Sequence, residues 1–207
     1  MLAAEAVTPE AAPVAPAPRP AGARPTISVV LPTYGFTFGG QIGFGRSKAT
    51  DAETGPFTRA YGRLTGYLPL GQSWYGQARV EVGQLLKDGL VVAPDSQRFR
   101  AGGDDSVRGY GYRSLGPISN GVVGSGDALF TGSVELARPF SASLPSVWGA
   151  VFVDAGNAAD SFANLQPALG YGIGVRWRSP VGPLRVDWAY GREFRRMRLH
   201  FSVGIAF

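Results

Sequence analysis

From Tyr34 to Phe207 apolar and polar residues alternate with a period of two, the signature of strands with unlike faces. The last segment shows it best. Met197, Leu199, Phe201, Val203, Ile205 and Phe207 form an apolar row, and Arg196, Arg198, His200, Ser202, Gly204 and Ala206 form a small or polar one. In "LGYGIGVRWR", Leu169, Tyr171, Ile173, Val175 and Trp177 alternate with Gly170, Gly172, Gly174, Arg176 and Arg178. "PLRVDWAYG" sets Leu184, Val186, Trp188 and Tyr190 against Arg185, Asp187, Ala189 and Gly191. The earlier segments agree, with two exceptions. Segment 57–68 mixes Phe57, Tyr61 and Tyr67 with Arg59 and Arg63 in one row, and "WGAVFVDAG" is apolar on both faces until Asp154.

The pattern predicts eight strands, roughly 34–47, 57–68, 74–86, 128–140, 147–156, 168–178, 183–191 and 197–207. Many have the length of about ten residues that a tilted membrane-crossing strand needs. Their connections alternate between tight ("PLGQS", "SASLPS", "SPVG") and longer, and segment 87–127 is very long. Tight turns on one side and long loops on the other are the asymmetry of an outer-membrane barrel, with both chain ends on the tight, periplasmic side. The fold class expected is all-β, a transmembrane antiparallel barrel domain over 26–207. Residues 1–25, rich in Ala and Pro, read as a disordered tether. That stretch lacks the basic and continuous apolar regions of a signal peptide.

Composition sharpens the reading. The chain has no Cys, which excludes a disulfide framework and a Cys zinc site. No run of about 18 apolar residues suits a membrane helix. The net charge of +5 is almost all arginine, with Lys48 and Lys87 the only lysines. Arg79, Arg176, Arg178, Arg185 and Arg198 lie in polar rows. Facing lipid near midplane, each would cost about 2–4 kcal/mol. Facing a wet lumen, they can pair with Glu81, Glu135, Asp154 and Asp187. The basic balance therefore reads as lumen lining, with membrane lipid rather than nucleic acid as the partner.

Four stretches resemble one family. "RFRAGGDDSVRGYGYRSLGP" is similar to the signature loop of the BamA/TamA family of outer-membrane assembly factors, the bacterial surface antigen barrels. "WGAVFVDAGNAAD", "GYGIGVRWRSPVGPLRVDWA" and "RLHFSVGIAF" resemble the family's final strands, and the wording is TamA-like. The likeness spans residues 34–207. It implies a loop that folds back into the lumen, with Val107, Arg108, Gly109 and Tyr110 as its tip against the wall. By the same resemblance Arg108 meets Asp154, with Glu135 as a second partner. Phe201, Val203, Ile205 and Phe207 match the C-terminal strand that acts as a sorting signal. The family barrel has sixteen strands behind periplasmic POTRA domains, so this chain reads as the C-terminal half of such a barrel.

The resemblance implies an insertion or translocation factor that works through a weak seam beside the last strand. Its expected partners are outer-membrane lipid, unfolded outer-membrane proteins or a secreted substrate, and a periplasm-spanning protein. No cofactor is expected. A two-partner-type secretion channel, a passive pore or a fragment without function remain as alternatives. An enzyme fits poorly. His200 is the single histidine, which removes a multi-His metal site. It shares a row with Ser202, but no G-x-S-x-G elbow is present. Asp104 and Asp105 read as solvated loop carboxylates.

Overall fold

The computed structural model describes residues 34–48, 53–71, 73–179 and 182–203. The Ala/Pro-rich start, Ile205 and Phe207 lie outside them.

Among the described residues ten strands follow the chain: β1 (Gly35–Ser47), β2 (Gly55–Leu70), β3 (Trp74–Lys87), β4 (Ile118–Ser119), β5 (Val122–Val123), β6 (Ala128–Pro139), β7 (Val147–Ala159), β8 (Ala168–Ser179), β9 (Gly182–Gly191) and β10 (Arg196–Val203). Eight form one antiparallel sheet in the order β1-β2-β3-β6-β7-β8-β9-β10. The two-residue strands β4 and β5 make a small hairpin inside the long loop between β3 and β6. Among the described residues β1 and β10 do not pair, so the sheet is an open half-barrel. Strand β2 extends beyond its expected bounds at both ends, because its ladder with β1 reaches Ser47↔Gly55 at one end and its ladder with β3 reaches Leu70↔Trp74 at the other.

The pairing register keeps each row in phase across the sheet, as a period of two requires. Phe36, Phe38, Ile42, Leu64, Val80, Val134, Val153, Ile173, Trp188, Leu199 and Phe201 share the outward face and are exposed. That face is made for lipid. The inward face carries Arg79, Glu81, Ser133, Glu135, Asp154, Arg176, Asp187 and His200.

The core lies on the inward face, between the sheet and the long loop. Phe57, Leu85, Leu129, Ala158 and Ala168 come from strands, while Ala93, Phe99, Ala101, Val107, Tyr110 and Leu115 come from the loop. This arrangement accounts for the two irregular segments. The mixed row of β2 faces the loop, where Phe57 joins the core and Arg59 stacks on Phe99, 4.5 Å from the ring centroid. The inner row of β7 carries Phe152, which is buried beneath the loop tip.

The loop has its own backbone bonds. Phe99 and Gly126 exchange N–H···O bonds at 2.8 Å each way, and Ala101 and Leu115 do so at 2.8 and 2.9 Å. At its base Arg98 reaches Asp127 at 2.7 Å and Asp160 at 2.9 Å.

Candidate functional site

The loop tip is Val107-Arg108-Gly109-Tyr110, and all four residues are buried. Their position follows from three register rows of the sheet. One row runs Arg79, Ser133, Asp154, Gly170 and Gly191 across β3, β6, β7, β8 and β9. The next runs Gln77, Glu135, Phe152, Gly172, Ala189 and Arg198, ending on β10. A third holds Gly174, Asp187 and His200. Carboxylates from three strands thus converge around a strip of glycines.

Arg108 enters this convergence. Its Nε donates to Asp154 Oδ2 at 2.7 Å and its Nη2 to Asp154 Oδ1 at 2.9 Å, a bidentate pair. Nη1 donates to Glu135 Oε2 at 2.8 Å and to Asp187 Oδ2 at 3.1 Å. Nη2 also reaches Ser133 Oγ at 3.3 Å. The Arg108 backbone N–H adds a bond to Asp154 Oδ2 at 3.0 Å. The guanidinium lies over the Phe152 ring, 3.4 Å from its centroid, in cation–π geometry. Burial alone would lower the pKa of this guanidinium. Hydrogen bonding and charge from Asp154 and Glu135 outweigh that and raise it above its ordinary value.

A second arginine offsets part of the remaining negative charge. Arg176 donates from Nε and Nη2 to Glu135 at 2.9 and 2.7 Å, and from Nη1 to Asp187 Oδ1 at 2.5 Å. Two guanidiniums and three carboxylates make one buried network.

The backbone approaches the wall just as closely. Gly109 has φ +91° and packs against Tyr190 and Gly191, where a Cβ would come within 2.6 Å of the Gly191 nitrogen. A Cβ on Gly170 would overlap the Arg108 carbonyl. Glycine at these places admits the tip to the wall. The Tyr110 hydroxyl donates to the Leu169 carbonyl at 2.8 Å, and its ring meets Phe194 edge-on at 5.4 Å.

His200 joins the last strand to the tip. Its Nε2 accepts the Gly109 N–H at 2.9 Å, and its Nδ1 bonds to Asp104 Oδ1. The acceptor role of Nε2 places the ring proton on Nδ1. Asp104, read from sequence as a solvated carboxylate, is exposed and also bonds to His200, because the inward fold of the loop carries it to β10.

Of the sequence-derived site residues, the structure brings together Arg108, Asp154 and Glu135, with Val107, Gly109 and Tyr110 packed around them. Phe201 and Val203 lie apart, exposed on the outward face of β10. Sequence reasoning passed over Asp187 as a partner of Arg108 and His200 as a partner of Gly109. Their shared inward phase with Glu135 was visible, but the strand register that aligns them was not.

No helix among the described residues is long and apolar enough to cross a membrane. The lipid face belongs to strands, and a loop is anchored inside their curve. These features define a membrane β-barrel protein of the kind that tucks one loop into its lumen. Residues 28–207 match the Omp85 superfamily domain, and the chain belongs to that superfamily. It is 38% identical over 133 residues to outer envelope protein 80, chloroplastic, of Arabidopsis thaliana, covering 58% of this chain and 16% of that protein. It is 28% identical over 193 residues to the outer membrane protein assembly factor BamA of Nitratidesulfovibrio vulgaris, covering 87% of this chain and 23% of that one. In fold it resembles the crystal structure of BamA from Haemophilus ducreyi lacking POTRA domains 1-3, with a TM-score of 0.65 at 24% identity, covering 87% of this chain and 40% of that one. The chain therefore spans less than a third of the length of these two curated relatives. It is an outer-membrane β-barrel protein.

Proposed function

We propose that this chain forms the C-terminal part of a barrel that inserts outer-membrane proteins or moves them across the membrane, in the BamA/TamA manner. The observation that carries the reading is the anchoring of the loop tip. Arg108 ties the loop to β6, β7 and β9, and His200 ties it to β10. The loop thereby braces the wall next to a strand edge that is unpaired among the described residues, where a seam can open while the rest of the barrel keeps its shape. The acting parts are backbone edges and a braced wall, so no cofactor or covalent step enters. Lipid, unfolded outer-membrane proteins and a periplasm-spanning partner are the partners this reading requires.

The test uses lipid vesicles carrying the protein and an unfolded outer-membrane β-barrel as client. The protein is expected to speed the appearance of the folded, heat-modifiable client band, and Arg108→Ala to remove the acceleration. Ion conductance without any acceleration of folding would favour the secretion-channel or pore reading instead.

A further inference from the structure

We propose that the lipid face carries a binding site for one anionic phospholipid of the periplasmic leaflet, with its headgroup at Arg138 and an acyl chain in the trough beside Gly149.

Three observations converge on this place. The first concerns charge. Among the described strand residues, Arg46 and Arg138 are the ionised side chains whose alternation puts them on the outward face. They stand at opposite rims. Arg138 is next to last in β6, before the short connection to β7, which places it at the tight-turn, periplasmic end. It is exposed and forms no ion pair with a carboxylate among the described residues. Its guanidinium lies 5.1 Å from the Trp74 ring centroid, which holds the charge in one orientation.

The second observation concerns shape. A depression of about 520 Å³ opens beside Arg138 on the outward face. Two outward register rows bound it. One includes Leu136, Val151, Ile173, Trp188 and Leu199, and the other includes Arg138, Gly149 and Val175. Arg138 pairs directly with Gly149, whose bare backbone leaves that row one side chain short. Phe140 stands at the edge of the gap, since a Cβ on Gly149 would come 3.3 Å from its ring.

The third is chemical match. The trough is walled by aliphatic and aromatic side chains and takes hydrocarbon. The cation at its rim takes phosphate. A zwitterionic lipid would bring its own amine beside Arg138, whereas a net-negative headgroup leaves the guanidinium paired. The occupant is therefore an anionic lipid such as phosphatidylglycerol.

The experiment is native mass spectrometry of the full chain, folded in detergent with equal amounts of phosphatidylglycerol and phosphatidylethanolamine. The unchanged chain is expected to retain phosphatidylglycerol in preference by about fivefold, the factor one cation near an anionic membrane surface supplies. Arg138→Gln brings the ratio to about one, and Arg138→Lys keeps it. Gly149→Leu fills the trough and lowers retention of both lipids. No preference in the unchanged chain, or an undiminished one in Arg138→Gln, overturns the proposal. Should Arg138→Gln fail to fold by circular dichroism, displacement on the unchanged chain decides. Short-chain phosphatidylglycerol must then displace bound lipid at a lower concentration than short-chain phosphatidylethanolamine, and equal potency overturns the site.

Discussion

A guanidinium has five N–H donors. The five side-chain bonds of Arg108 reach four side chains on three strands: Ser133 and Glu135 of β6, Asp154 of β7 and Asp187 of β9. No donor remains over, so the residue is specified by count as well as by charge. A lysine brings three donors from one point and cannot reproduce the planar fork. Removing one partner of a buried ion network costs about 3–5 kcal/mol, because the other charges stay behind without compensation. Arg108→Ala is therefore expected to lose about that much, and Arg108→Lys to recover only a small part, read from urea unfolding in detergent. Asp154→Asn should cost less, since Arg108 keeps Glu135 and Asp187. The glycines give a cleaner contrast. Gly170→Ala drives a methyl into the Arg108 carbonyl, whereas the corresponding position at Gly43 meets nothing within 4 Å. Trypsin should cut the loop readily in Gly170→Ala and leave Gly43→Ala as resistant as the unchanged chain. Equal resistance in both would mean that the tip does not rest on β8.

At the scale of elements, β10 is held to the sheet on one side, and His200 hydrogen-bonds it to the loop. Its ladder with β9 runs from Arg196↔Gly191 to Val203↔Leu184, and its other edge is unpaired among the described residues. His200 adds the tie to Gly109 and Asp104. His200→Phe conserves bulk but removes both bonds. It should loosen the tip without disrupting the ladder, seen as faster amide exchange at Gly109 with β9 and β10 still protected. Ser202→Ala, on the same row, should change neither. The strands themselves were legible in the sequence because one face meets lipid and the other does not, so alternation survives without knowledge of partners. The two segments that alternated poorly, in β2 and β7, were poor for a physical reason. Their inner rows meet a folded loop rather than water, and Phe57 and Phe152 are buried there. The β4–β5 hairpin was missed, since two-residue strands carry no period. The partners of the loop tip were legible in part. Family likeness pointed to Asp154 and Glu135, while Asp187 and His200 depend on cross-strand register, which local pattern does not encode.

For the whole molecule, the edges of β1 and β10, unpaired among the described residues, and the position of the loop constrain each other. In lipid an unpaired backbone group costs several kcal/mol, so both edges must find strands. One solution is closure of the eight strands on themselves. A barrel of that size has an interior just wide enough for side chains. Here the inner face is already occupied by loop backbone, with Val107 and Tyr110 fully buried against it. Self-closure would have to expel the loop and break the Arg108 network. The other solution keeps the loop in place and pairs the edges with strands from outside the described half. The chain has no Cys, so introduced pairs report without background. Gln41→Cys on β1 with Ser202→Cys on β10, oxidised in detergent, should give no cross-link within one chain. Boiled and unboiled gels with light scattering should show no folded monomer of 21.8 kDa, but only species that include added strands, from a second copy or from the rest of a longer barrel. A folded, heat-modifiable monomer with an internal cross-link would show self-closure. In that case Arg108→Ala should leave its stability unchanged, because the network that now surrounds Arg108 could not exist in so narrow a lumen.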